Sequence, residues 1–105
     1  MSVKFDGTNV KSGSTTVGNL KSVDILREGN SSGGKALGNI KTKNIIRDGN
    51  SSGGKALCNI LDGKNIREGN SSGGRQIIKI QDAAKDIGTS SYGPSTALVW
   101  YFFAK

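Results

Sequence analysis

Three segments of the chain have the spacing of a phosphate-cradling loop: Gly29 to Lys35, Gly49 to Lys55 and Gly69 to Arg75 each read G-x-x-x-x-G-K/R. In such a loop backbone amides surround phosphate oxygens, but the chemistry also needs a following helix and a Ser or Thr for Mg²⁺. Ala36, Ala56 and Gln76 follow instead, so nucleotide hydrolysis is not expected. Asp48-Gly49-Asn50-Ser51-Ser52-Gly53 imitates the opening of a calcium loop, yet Asn59 stands where a bidentate Glu is wanted. The flanking copies start with Glu28 and Glu68 and add no second acid, so these stretches read as turns and no metal site is expected. Asp62 with Glu68 could act as acid and base, but nothing in the sequence converges two carboxyl groups on a cleft. No catalytic residue is assigned.

Composition narrows the chemistry further. The 105 residues include no His and a single Cys, which removes the commonest metal ligand, the usual general base near neutral pH and the Cys/His nucleophile pair. Neither a cofactor nor an internal disulfide is expected. Cys58 replaces Gly18 and Gly38 in the internal repeat, which points to a cramped, buried and unreactive thiol. Fifteen Lys and Arg against eight Asp and Glu give a net charge of +7. The cations recur as Arg27, Arg47 and Arg67 with Lys35, Lys55 and Arg75, a candidate rim for a polyanion such as nucleic acid or acidic polysaccharide. The bland alternative is a solvated hairpin face on which each Arg pairs with Glu28, Asp48 or Glu68. Base-stacking aromatics are not interleaved with these cations.

The elements that carry these residues repeat every 20 positions. Arg27 to Ile40 and Arg47 to Ile60 agree at 12 of 14 positions, and Arg67 to Ile80 continues the series. The chain divides into five units, 1–20, 21–40, 41–60, 61–80 and 81–105, forming one domain with degenerate outer units. Each unit holds two short apolar stretches separated by turn residues, the pattern of a β-hairpin, with Asp62-Gly63 suited to a tight turn. A lone hairpin is marginal in water, so the units must share a core. A solenoid would stack like charges in columns, whereas a closed rosette spreads them around a rim. The expected fold is therefore all-β: five pseudo-symmetric hairpins in a closed, flower-like rosette. Leu20, Ile40, Ile60, Ile80 and Trp100 are expected to point inward, helped by Ile46 and Ile66. Leu37 and Ile40 have opposite parity on one strand, so either both faces are covered or a bulge intervenes.

The V/L-G-N-L/I strands, the I-R-D/E-G-N turns and the terminal run Trp100-Tyr101-Phe102-Phe103 resemble the bacterial five-fold β-flower proteins. The resemblance covers nearly the whole chain. It implies a fold of five pseudo-symmetric hairpins ending in a Trp- and Phe-rich strand, and implies no activity. On a closing strand, Trp100 and Phe102 would be buried, leaving Tyr101 and Phe103 outside as a self-association patch. The function expected is a non-enzymatic structural or protein-interaction module that binds itself or another protein, the alternative being a polyanion binder using the cationic rim. No signal peptide and no transmembrane stretch is read in the chain, which places it in the cytoplasm by default, or outside if a signal was removed.

Overall fold

In the computed structural model, which describes residues 3–22 and 24–105, nine strands form one antiparallel sheet in chain order. They are β1 (Lys4–Phe5), β2 (Asn9–Ser12), β3 (Thr15–Ser22), β4 (Ile25–Glu28), β5 (Ala36–Asn39), β6 (Ile45–Asp48), β7 (Ala56–Asn59), β8 (Asn65–Glu68) and β9 (Gln76–Lys79). β4, β6 and β8 begin 20 residues apart, as do β5, β7 and β9, so each middle unit contributes the same two strands. Between β4 and β5 the pairing steps from Leu26↔Gly38 to Arg27↔Ala36, and Leu37 is the extra residue of a bulge. The bulge recurs between β6 and β7 and between β8 and β9. It accounts for the parity conflict between Leu37 and Ile40, since one inserted residue exchanges the faces on either side.

Alternation along the strands separates two faces. One carries Leu26, Ile46 and Ile66, all fully buried, with Gly18, Gly38 and Cys58 beside them. The other carries Asn19 opposite Arg27, Asn39 opposite Arg47 and Asn59 opposite Arg67. Of the expected inward residues, Ile60, Ile80 and Trp100 are buried, while Leu20 and Ile40 are partly buried against the same core.

The last unit departs from the hairpin expectation. Residues 81–105 form no strand; instead α1 (Ile80–Asp86) continues directly from β9, and α2 (Pro94–Phe103) follows. Pro94 opens α2 with φ already suited to a helix, and Thr96 through Trp100 are all buried. A strand would show alternate residues of this run to solvent, whereas a helix apolar all round can fill the inner face completely. Trp100 donates its indole N–H to Asp86 on α1 at 2.9 Å, which satisfies its polar atom inside the packed layer. Phe103 lies over Gly18 and Phe102 over Gly38, where an added Cβ would come within 2.8 and 2.4 Å of the rings.

The sheet is open: β1 and β9 do not pair. The Phe5 N–H donates to the carbonyl of Ile87, just past α1, at 2.8 Å, so the helical segment satisfies one N–H of the edge strand β1. What holds of the all-β expectation is an antiparallel hairpin sheet, completed by two short helices.

The turn between β7 and β8 forms as anticipated. Gly63 has φ +73°, and the Asp62 carboxylate accepts from the N–H groups of Lys64 and Asn65, both at 2.8 Å. In the preceding unit the same position is Lys43, at φ +70°, where a Cβ is disfavoured. Lys43→Gly is expected to add about 0.5–1 kcal/mol, the left-handed penalty of about 1–2 kcal/mol less glycine's larger entropy loss on folding. A higher urea midpoint with an unchanged m-value would report it.

Candidate functional site

The GNSSGG segments do not project as free hairpin tips. Each folds back over the face bearing the Asn and Arg rows and is held there from beneath. The Asn19 side-chain N–H₂ donates to the carbonyls of Gly29 and Ser31 at 2.8 and 3.1 Å. Asn39 does the same to Gly49 and Ser51 at 2.9 and 3.1 Å, and Asn59 to Gly69 and Ser71 at 2.9 and 3.0 Å. The three amide oxygens accept from the backbone N–H of Lys21, Lys41 and Leu61, so donors and acceptor of each buried amide are engaged. All three Asn side chains are fully buried. Polar groups inside a protein are tolerated on that condition.

The arginines hold the far end of each loop. Arg27, Arg47 and Arg67 donate Nη1 to the carbonyls of Gly34, Gly54 and Gly74 at 2.7, 2.9 and 3.0 Å. Their Nε groups reach Ser22, Thr42 and Asp62 across the sheet. Lys21 adds its ammonium to the Asn30 carbonyl at 2.6 Å, and Lys41 donates to that of Asn50. Half of the cationic rim anticipated from the sequence is thus partly buried structural staple. Lys35, Lys55 and Arg75 are exposed, and among the described residues they form no ion pair, Arg67–Asp62 being the one present.

Lys55 and Arg75 meet Tyr101, Lys105 and Glu68 around an open cleft of about 480 Å³. Lys105 Nζ lies 4.6 Å from the centre of the Tyr101 ring, within cation–π range. The inside–outside alternation expected of a closing strand does not hold on the helix: Trp100 is buried, whereas Tyr101, Phe102 and Phe103 are all partly buried against the core, Phe103 being turned onto Gly18. A second cleft of about 470 Å³ lies beside Lys64, Lys79 and the exposed Tyr92.

The carboxylates named as an acid–base pair serve separate places. Asp62 accepts four hydrogen bonds at its turn, from the Lys64 and Asn65 N–H groups, the Arg67 guanidinium and the Asn65 amide. Those donors, the two backbone amides foremost, hold its carboxyl far below the ordinary range, the reverse of what a general acid or base needs near neutral pH. Glu68 borders the Tyr101 cleft instead. Because the folded-state pKa of Asp62 is depressed, the stability it contributes is complete above its unfolded pKa and is lost as pH falls through and below that value. Asp62→Asn should therefore flatten the acid limb of a stability-versus-pH curve measured between pH 6 and 2.

Cys58 is fully buried, and burial pushes its thiol up to about 12. Native protein at pH 8 should react with a thiol reagent far more slowly than unfolded protein, because burial both keeps the thiol protonated and shuts the reagent out. Among the described residues no group of three or more His, Cys, Asp or Glu could hold a metal ion, and no helix is long and apolar enough to cross a membrane.

The Asn row is the feature that sequence reasoning passed over. Its signal was present: an amide recurring every 20 residues inside the apolar strand of each unit, at Asn19, Asn39 and Asn59. No family description, curated protein or solved structure matches the chain.

Proposed function

We propose that this protein is a non-enzymatic interaction module that presents three pre-ordered GNSSGG loops to a partner. The observation that carries this reading is the clamp under each loop, a buried Asn and a partly buried Arg repeated in three units. Solvent-exposed turns are usually held by their own backbone. Here buried side chains order loops whose outer residues, Asn30 to Gly33 and their equivalents, remain exposed. A loop fixed before contact loses less conformational entropy on binding, and binding residues sit disproportionately on loops positioned by a rigid scaffold.

Two features support kinship with the five-fold β-flower proteins: three middle units of 20 residues that are each strand–loop–strand, and an aromatic C-terminal run lying against them. In that arrangement the helices of residues 81–105 take the place of the fifth hairpin.

The test is binding of the purified chain to heparin, DNA, anionic liposomes and neutral glycans, together with sedimentation to detect a second copy as partner. Asn50→Trp with Asn70→Trp places bulk on two exposed loop tips without touching the clamp. Loss of at least tenfold in affinity for whatever probe the wild type binds is expected. Unchanged binding by the blocked variant overturns the reading.

A further inference from the structure

We infer that the three loops are backbone oxyanion sites and that their ligand is a linear acidic polysaccharide. This rests on the reading of the loops as the docking face and adds the ligand class. A trans peptide fixes each N–H antiparallel to the carbonyl before it. The carbonyls of Gly29 and Ser31 are drawn inward by Asn19, so the N–H groups of Asn30 and Ser32 are turned outward. The same holds for Asn50 and Ser52 above Asn39, and for Asn70 and Ser72 above Asn59. Among the described residues none of these six N–H groups has a partner. The hydroxyl oxygen of Ser31 accepts from the Gly33 N–H at 3.0 Å, which leaves its O–H free to donate, and Ser51 and Ser71 repeat the bond.

Each loop therefore turns two amide donors outward and has a free hydroxyl donor in the same turn, with a guanidinium and a buried amide holding its carbonyls from beneath. Aligned peptide dipoles of this kind form anion-binding concavities. The exposed side-chain cations cannot replace them. Across each hairpin Lys35, Lys55 and Arg75 neighbour Glu28, Asp48 and Glu68, whose N–H groups bond to their carbonyls. The signs alternate along that row, so its field is weak, whereas Lys21 and Lys41, held on the carbonyls of Asn30 and Asn50, set an ammonium beside the donors of two loops.

Equivalent loops are two strands apart, about 9.5 Å at the usual strand spacing. An extended acidic glycan carries carboxylates or sulfates on every sugar or every second sugar, close enough for successive loops to be engaged by one chain, and the exposed Ser and Asn side chains suit sugar hydroxyls. Nucleic acid is disfavoured because no aromatic side chain lies between the loops to stack a base.

Ser32, Ser52 and Ser72 each occupy the second position of a turn closed by the N–H of Gly34, Gly54 and Gly74, a position that accepts proline. The triple variant Ser32→Pro, Ser52→Pro, Ser72→Pro deletes one outward N–H per loop, and the matching triple Ser→Ala variant keeps it. Binding is measured to heparin, polygalacturonate, neutral dextran and single-stranded DNA. The expected result is salt-sensitive binding of the two acidic polysaccharides, weakened at least tenfold by the prolines and less than threefold by the alanines. Equal binding by the two variants overturns the assignment, as does tighter binding of DNA or no wild-type binding to acidic polysaccharide. Should the proline variant fail to fold, amide NMR shifts of wild type titrated with heparin oligosaccharide decide: movement at residues 30, 32, 50, 52, 70 and 72 supports the sites, and silence there overturns them. If the tryptophan block abolishes binding of another probe while acidic polysaccharide never binds, the interaction module stands and this ligand falls.

Discussion

Asn39→Ala is expected to cost about 3 kcal/mol, a large share of the 5–15 kcal/mol that holds a domain of this size together. The variant strips two donors from the carbonyls of Gly49 and Ser51 and the acceptor from the Lys41 N–H. Asn39 is the middle one of the three fully buried amides, so water reaches the orphaned groups poorly, and an unsatisfied buried group costs about 1–3 kcal/mol. Asn39→Asp should be at least as damaging, since it sets a carboxylate oxygen against two carbonyl oxygens in a site closed to solvent. Ser51→Ala is the comparison. It removes one exposed bond, to the Gly53 N–H, and should cost less than about 1 kcal/mol. Urea unfolding of the three variants, followed at one wavelength for helix and another for Trp100, measures both the costs and whether the loop releases separately. An Asn39→Ala protein as stable as the wild type would show that the loop is held by its own turn and would remove the basis of the display function.

Gly38→Cys should be nearly as severe, about 3–4 kcal/mol, although it only installs the residue that the next unit already carries. At Gly38 a Cβ would come within 2.4 Å of the Phe102 ring and 2.9 Å of the Arg47 carbonyl oxygen. The ring can swing away, but the carbonyl belongs to the paired strand and cannot. Cys58 occupies the equivalent position fully buried in the same core, because the rings at the end of α2 cover Gly18 and Gly38. The reciprocal change, Cys58→Gly, should cost only about 1–2 kcal/mol in lost burial and added chain entropy. Adding Phe102→Ala to Gly38→Cys is expected to recover at least 1 kcal/mol relative to the sum of the single changes, as residues in contact do not add. Strict additivity would mean that α2 does not rest on the sheet through this contact.

Much of the site was legible one unit at a time. The pairing of β4 with β5 and of β6 with β7 follows from apolar stretches separated by turn residues, and Gly63 follows Asp62 because that turn needs a positive φ. These are local requirements, and a 20-residue period states each of them three times. The role of Arg27, Arg47 and Arg67 was less accessible. An Arg in a strand has the same sequence signature whether its guanidinium meets solvent, a Glu or a carbonyl. Here the choice turned on a loop folding back to bring Gly34, Gly54 and Gly74 within reach. Asn19, Asn39 and Asn59 were hidden for the same reason, since a buried amide is tolerated only where partners from elsewhere in the chain arrive.

By itself the sequence determined the period, the antiparallel strand pairs, the turn at Asp62-Gly63 and the burial of Ile46, Ile66 and Cys58, because each depends on residues within a single unit. Tertiary structure alone decided that Pro94–Phe103 is a helix, that the sheet stays open, and that half of the repeated cations are staples. An apolar run of that length suits strand and helix alike. As a helix the run buries five consecutive residues, Thr96 to Trp100, in the core shared with the sheet.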